Sequence, residues 1–381
     1  MGDDRGPAFE AVAERIARVG PVPFGAYVEA ALSGPGGFFT RGGGAGRRAD
    51  FLTSPEVGPL FGAVVARALD AEWVRLGRRD PFVVVEAGAG RGALAKAVLA
   101  AEPACGPSLR YVLAERSPAL RAAAEQLLVV EPAANVLGGV GEDDEDAAPL
   151  ATTGSGPVVA VLDDLPAATF AGVVLANELL DNLPFDLVER SATGWVEVRV
   201  GLRGERLVEV LVVASPDLGS EATALAPDAA AGSRIPIQRG TRAWLARALS
   251  LLTAGRVIVL DYADETASLA ARPWHEWLRT YRNHQRAGHP LFAPGSADIT
   301  CEVAVDQLAA VRPPGADRPQ AAWLDDHGMG WLVDAAKERW RAGAHVGDLA
   351  ALAARSRVGE ADALSDPSGL GAFRVLEWQV G

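Results

Sequence analysis

The stretch VVVEAGAGRGALAKAVL, Val83 to Leu99, constrains this chain more than any other. A continuous apolar run gives way to Gly88, Gly90 and Gly92 at alternate positions, and an alanine-rich segment of helical character follows. A strand that is apolar at every position is covered on both faces, which is the signature of a parallel sheet. Glycine is required where the chain turns with positive φ and where a ligand lies against bare backbone. A helix starting just behind such a turn aims its free N–H groups at that ligand.

The same alternation recurs along the chain. PFVVVEA predicts a strand and Ala93 to Ala101 a helix; RYVLAE predicts a strand and Pro118 to Leu128 a helix. AGVVLA and, after a long interval, GRVIVLDY predict two more strands of a parallel α/β sheet. Residues 187–213 carry LVER, GWVEVRV and LVEVLVV, which read as antiparallel strands attached to that sheet. Residues 8–33 read as helical, with Phe9, Val12, Ile16 and Val19 on one stripe. A glycine-rich connection then leads to Thr53-Ser54-Pro55-Glu56, an N-cap pattern with Pro in the first turn, and predicts a helix through about Leu76. The acidic run Gly141 to Asp146 and residues 311–320 read as loops, and GLGAFRVLEWQV as a closing strand. No internal repeat is visible.

With 36 basic and 49 acidic residues the net charge is −13, which argues against a nucleic-acid backbone as partner. Cys105 and Cys301 form no zinc pattern, no metal site is indicated, and nothing points to secretion. A reduced, cytoplasmic compartment is the expectation. The acidic start MGDDRGPAFE has no apolar h-region, and no run is long enough to insert in a membrane. A homo-oligomer is compatible with these features.

A dinucleotide turn reads G-x-G-x-x-G, with an acid about 20 residues on. Here the spacing is G-x-G-x-G, and Glu86 stands two residues before Gly88. A carboxylate there repels a pyrophosphate and attracts a sulfonium or amino group. Glu115 ends the next strand, where an acid can accept two ribose hydroxyls. Together these point to a nucleoside with a cationic centre, S-adenosyl-L-methionine. The bland alternatives are a tightly packed turn and a surface Glu115.

In LANELLDNLPFD, Asn177, Glu178 and Asp181 directly follow an apolar strand, at the sheet edge where α/β proteins bind ligands. Asn177 could accept a hydrogen bond from a target nitrogen, and Glu178 and Asp181 could grip a guanidinium in bidentate fashion. Helix capping by Asn177 and an exposed charge at Asp181 are the alternative. His284 and His289 could act as a base or line the cleft, or be structural. Asp298 and Thr300 could face substrate or cap the segment behind them.

The chain resembles the MidA family of class I S-adenosyl-L-methionine-dependent methyltransferases, nearly end to end. DFLTSPEVGPLFGAVVARAL is similar to the family's GDF-x-T-x-PE segment, and VVEAGAGRGALAKAVL to its E-L-G-x-G-x-G-x-L motif. YVLAERSPALRAAAEQLL resembles E-x-S-P-x-L-R, and LANELLDNLPFDLVER resembles NE-x-x-D-A-x-P. The resemblance implies a Rossmann-like sheet with helices on both faces. It also implies an N-terminal helical segment (1–80) closing the cofactor site and a core at 81–186 and 250–381. Inserted antiparallel strands with a helix (187–249) would form the substrate side. It implies that Glu86, Gly88, Gly90 and Glu115 contact the donor, with Thr53, Ser54, Pro55 and Glu56 beside them and bordering the acceptor. Asp163 and Asp164 would approach the adenine, and Asn177 would serve both sides, with Glu178 and Asp181 on the acceptor. The implied reaction is methylation of a protein arginine, leaving S-adenosyl-L-homocysteine. A small-molecule acceptor and a donor-binding assembly protein are the competing readings. Departures at Leu180-Asp181-Asn182 and Glu276-Trp277 border the acceptor side, not the cofactor.

Overall fold

The computed structural model describes residues 6–44, 53–137, 154–283, 285–343, 345 and 349–381. The acidic run 141–146, His284 and the start of the Asp50 segment lie outside the described residues. Two compact units emerge, each built from three separate stretches. One takes residues 52–177, 248–260 and 314–381; the other takes 1–51, 178–247 and 261–313. These divisions fall at other places than 80, 186 and 249. Residues 261–313 group with the inserted strands because their own hairpin packs there, and 53–80 group with the sheet through the apolar face of one long helix.

The first unit is organised on a seven-stranded sheet. Its strands are β1 (Phe82–Ala87), β2 (Leu109–Ala114), β3 (Val158–Leu162), β4 (Phe170–Asn177), β5 (Leu252–Asp261), β6 (Ala316–Pro319) and β7 (Arg374–Val380). The spatial order is β6-β7-β5-β4-β1-β2-β3. The pairs β1–β2, β2–β3, β1–β4 and β4–β5 are parallel, and β6–β7 is antiparallel. Every residue of β1 and β2 is buried, as strands that are apolar at all positions but Glu86 and Arg110 require. Leu60, Phe61, Val64 and Val65 of the helix Pro59–Arg75 share a core with Val84, Tyr111, Val173 and Trp323. β3 lies outside the alternation read from sequence. Residues 316–319, expected as loop, form an edge strand whose two-sided polarity hides it from a hydrophobic pattern; Pro319 is tolerated because the edge needs no donor there.

The helix expected from Thr53 is two helices, Ser54–Val57 and Pro59–Arg75. They break at Gly58, where an added Cβ would lie 2.3 Å from the Glu360 carboxyl carbon. Glu360 Oε2 accepts the Leu60 N–H at 2.9 Å and so satisfies the new helix start. Thr53 makes no side-chain cap bond.

In the other unit, residues 8–33 split into helices Pro7–Val19 and Phe24–Ser33, because Pro21 and Pro23 cannot continue a helix and Val22–Pro23 pairs with Arg199 and Val200 instead. The strands expected to attach to the parallel sheet form a sheet of their own. Asp186–Ser191, Gly194–Arg203, Arg206–Val213 and Arg234–Ile237 pair antiparallel with one another. Their short connections close hairpins, one at Gly204 with φ +60°, so the ladder is satisfied locally. A smaller antiparallel group joins Leu278–Arg282 to Gln285–Arg286 and Asp298–Cys301. Both cysteines are buried and unlinked. Among the described residues, no helix is long and apolar enough to cross a membrane.

Candidate functional site

In the sheet unit the strand order reverses between β1 and β4, and the crevice beyond the carboxyl ends of such a pair is where ligands of open α/β sheets bind. Gly88, Gly90 and Gly92 leave β1 with φ of +68°, +57° and +78°. These glycines have different tasks. A Cβ on Gly92 would meet Leu113 and Leu128 at 3.0 Å, so this glycine lets helix Ala93–Ala100 pack on the sheet. A Cβ on Gly90 would meet nothing within 4 Å. Bare backbone facing open space at the switch point is the cradle an adenosine-based donor requires.

Glu115, at the tip of β2, accepts the Gly90 N–H at 2.9 Å and the Ser117 N–H at 2.7 Å. Burial raises its pKa, and these two amides pull it back. A carboxylate has about four lone-pair sites, so two bonds leave capacity for ribose hydroxyls. Asp163 and Asp164 are exposed at the neighbouring tip of β3, where the Leu162 carbonyl accepts the Glu115 N–H at 3.0 Å. The residues present therefore fit an adenosine-based donor.

Glu86 stands near the end of β1, just before the turn. Its side chain is only 4% exposed and accepts the Tyr111 O–H at 2.7 Å. Burial pushes its carboxyl up to about 8, against the pull of the Tyr111 hydrogen bond. Ser54 is fully buried and donates to Gln320 Oε1 at 3.1 Å, which pins the Thr53-Ser54-Pro55-Glu56 turn inside the sheet unit. Asn177 ends β4 beside Leu260 of β5.

In the other unit, Glu178, Asp181 and Asp261 form an acidic group in which both aspartates are buried and Glu178 is half-buried. Glu178 adopts φ +52°, a strained left-handed conformation for a side-chain-bearing residue, and its carboxylate accepts the Tyr262 O–H at 3.4 Å. Asp181 is 3% exposed, and its Oδ1 has no hydrogen-bond partner among the described residues. Asp261, absent from the sequence candidates, organises the turn. Its Oδ2 accepts the N–H groups of Leu180 at 2.9 Å and Asp181 at 3.2 Å, and its Oδ1 accepts that of Tyr262 at 2.9 Å. Burial raises the pKa of both acids; the charges of Asp181 and Glu178 push Asp261 further up, while Arg279 draws Asp181 down. The signal for Asp261 was present: an acid closing the apolar strand in VIVLDY, by the rule that selected Glu115. Asn182 donates to Asp298 Oδ1 at 2.9 Å, which makes Asp298 a strut for this turn rather than a helix cap. Thr300 lies in the same strand, also not a cap. His289 is engaged by Glu209 at 3.3 Å and packs edge-on against Trp274, a structural role. Among the described residues no cluster of His, Cys, Asp or Glu is arranged to hold a metal.

The profile of the family described as "Putative S-adenosyl-L-methionine-dependent methyltransferase" matches residues 64–315. The chain is 28% identical over 316 residues to "Protein arginine methyltransferase NDUFAF7 homolog, mitochondrial" of Drosophila melanogaster, covering 76% of this chain and 66% of that protein. It is 25% identical over 302 residues to "Protein arginine methyltransferase NDUFAF7, mitochondrial" of Danio rerio, covering 77% and 68%. The chain thus spans about two thirds of the length of these curated relatives. The solved structure of a COG1565 superfamily protein from Burkholderia thailandensis, bound to S-adenosyl-homocysteine, superposes with a TM-score of 0.77 at 26% identity, over 98% of this chain and 94% of that one. With the strand order, the glycine cradle and the Glu115 tip already in place, these matches mean that the chain belongs to the MidA family of S-adenosyl-L-methionine-dependent methyltransferases.

Proposed function

We propose that this enzyme transfers a methyl group from S-adenosyl-L-methionine to a guanidinium nitrogen of an arginine in a protein acceptor. The observation that carries the reading is the acidic group of Glu178, Asp181 and Asp261, in which one buried Asp181 oxygen has no hydrogen-bond partner among the described residues. An arginine brings five N–H donors in a rigid fork and keeps its charge at neutral pH. Carboxylates are its natural partners, and the names of the curated relatives point the same way.

The bound donor supplies an electrophilic methyl on a sulfonium, whose leaving thioether is neutral. What remains for the chain is alignment, exclusion of water and management of one proton. Glu115 and the Gly90 backbone hold the donor's nucleoside. Glu178 and Asp181 would localise the guanidinium charge, so that one nitrogen presents its lone pair to the methyl while its proton passes to one of these carboxylates and from there to solvent. Asp261 holds the amides of Leu180 and Asp181 and fixes where those two carboxylates point.

The test is transfer of labelled methyl from the donor to a cell lysate, followed by hydrolysis of the labelled fraction. Label in methylarginine, lost in Asp181→Asn, is the expected result. Label on a small molecule, or donor binding with no transfer at all, overturns the reading in favour of a small-molecule methyltransferase or an assembly protein.

A further inference from the structure

The unit that carries the acidic group also contains a cavity of about 370 Å³ that no part of the proposed chemistry uses. It lies in the loop between Thr280 and Ile299. Ala287, Pro290, Phe292, Pro294 and Ile299 give it an apolar lining, and Arg282 stands at its edge. Its walls are held by internal hydrogen bonds: Thr280 Oγ1 donates to the Gly288 carbonyl at 2.7 Å, and Tyr27 Oη donates to the Pro290 carbonyl at 2.5 Å. Such a cavity is preformed and does not need a ligand to open it. The Phe292 ring at the lining is 57% exposed and within reach of a ligand side chain.

The charge around it runs against the rest of the chain. The protein carries a net −13, yet no Asp or Glu occurs between Arg279 and Ala297. Arg279 is tied to Glu302, whereas Arg282 and Arg286 are exposed and make no ion pair among the described residues. The acid that reaches the lining from another strand, Glu209, is held by Arg234 and His289. An apolar hole with one uncommitted guanidinium, Arg282, at its edge and a second, Arg286, on the adjoining strand of the same hairpin is complementary to an apolar side chain next to a carboxylate.

We propose that this cavity is a specificity pocket that seats a Leu- or Phe-sized side chain of the acceptor protein, with an adjacent Asp or Glu of that protein paired to Arg282 and Arg286. The inference rests on the reading of a protein acceptor and adds what selects it. Guanidiniums match carboxylates in bidentate geometry, and burial of the apolar side chain supplies most of the affinity.

The probe is an array of fluorescent nonapeptides centred on arginine, with one flanking position Leu, Phe or Ser and its neighbour Glu or Lys. Both binding, by anisotropy, and methyl incorporation are read. Peptides with Leu or Phe beside Glu are expected to bind about tenfold tighter than those with Ser, and a few-fold tighter than those with Lys. Arg282→Glu/Arg286→Glu is expected to reverse the preference between Glu and Lys. Gly288→Phe fills the cavity at a position where an added Cβ meets nothing within 4 Å, and is expected to abolish the preference for Leu or Phe with donor binding retained. If the parent and both variants rank the peptides alike, the pocket assignment is overturned. If the ranking appears in binding but no peptide is methylated, the pocket stands and the proposed function fails.

Discussion

Replacing Gly90 and Gly92 by alanine, one at a time, asks the same chemical question at two neighbouring positions and should give opposite answers. Both glycines are left-handed, at φ +57° and +78°, so each alanine carries about 1–2 kcal/mol of backbone strain. At Gly90 the new methyl meets nothing, so strain is the whole stability cost, and the unfolding midpoint should fall by only a few degrees. That methyl stands where the donor approaches the backbone, and the loss of one close approach should weaken binding at least about tenfold, or ~1.4 kcal/mol. At Gly92 the methyl meets Leu113 and Leu128 at 3.0 Å, and crowding adds about 1–3 kcal/mol to the strain. There the midpoint should drop further, while affinity per folded molecule changes little. Calorimetric titration with S-adenosyl-L-homocysteine, beside thermal unfolding without ligand, reads both quantities. If Gly90→Ala binds like the parent, or Gly92→Ala loses more affinity than Gly90→Ala, the division of labour in this turn is wrong.

Glu86→Gln removes an acid whose folded pKa of about 8 lies above its ordinary value of 4.5. The folded state holds that proton more tightly, so the parent's stability is full below about pH 4.5 and declines as pH rises toward 8. The melting temperature of the parent should therefore fall relative to Glu86→Gln between pH 5 and 8; a constant difference between the two would refute the placement of Glu86. Glu115→Gln turns one acceptor oxygen into a donor facing the Gly90 or Ser117 amide, and should weaken donor binding by about 1–2 kcal/mol, measured by the same titration. Asp261→Asn does the same to the turn bearing Glu178 and Asp181; kcat should fall at least tenfold with donor affinity kept within about twofold, and equal losses in both would contradict a purely positioning role.

The parallel sheet was legible because its signals are local. Unbroken apolar strands, three glycines at alternate positions and an acid at the end of a strand all follow from short-range backbone physics, and β1, β2, β4 and β5 lie where that pattern puts them. What sequence could not supply is direction. Glu86 takes its hydrogen bond from Tyr111 of the neighbouring strand, a partner that no spacing in the sequence reveals. Asp261 meets Leu180 and Asp181 across a wide separation in sequence, so no spacing links them. The edge strand β6 was unreadable because ADRP carries no apolar face at all. The inserted strands were recognised as antiparallel, yet whether they extend an existing sheet or found another is a matter of long-range pairing.

The position of β7 bears on how the sheet is completed. Residues 374–380 sit between β5 and β6, so until synthesis reaches them the side of β5 that faces β7 has no ladder partner. That side belongs to RVIVL, a β-branched run of the kind that recruits strands from other molecules. A polypeptide released before Arg374 would carry this sticky margin bare, and β6 would have nothing to pair with. β7 thus acts as a seal, and disrupting it, for example by Val375→Pro/Leu376→Pro, should yield aggregates rather than a slightly destabilised enzyme.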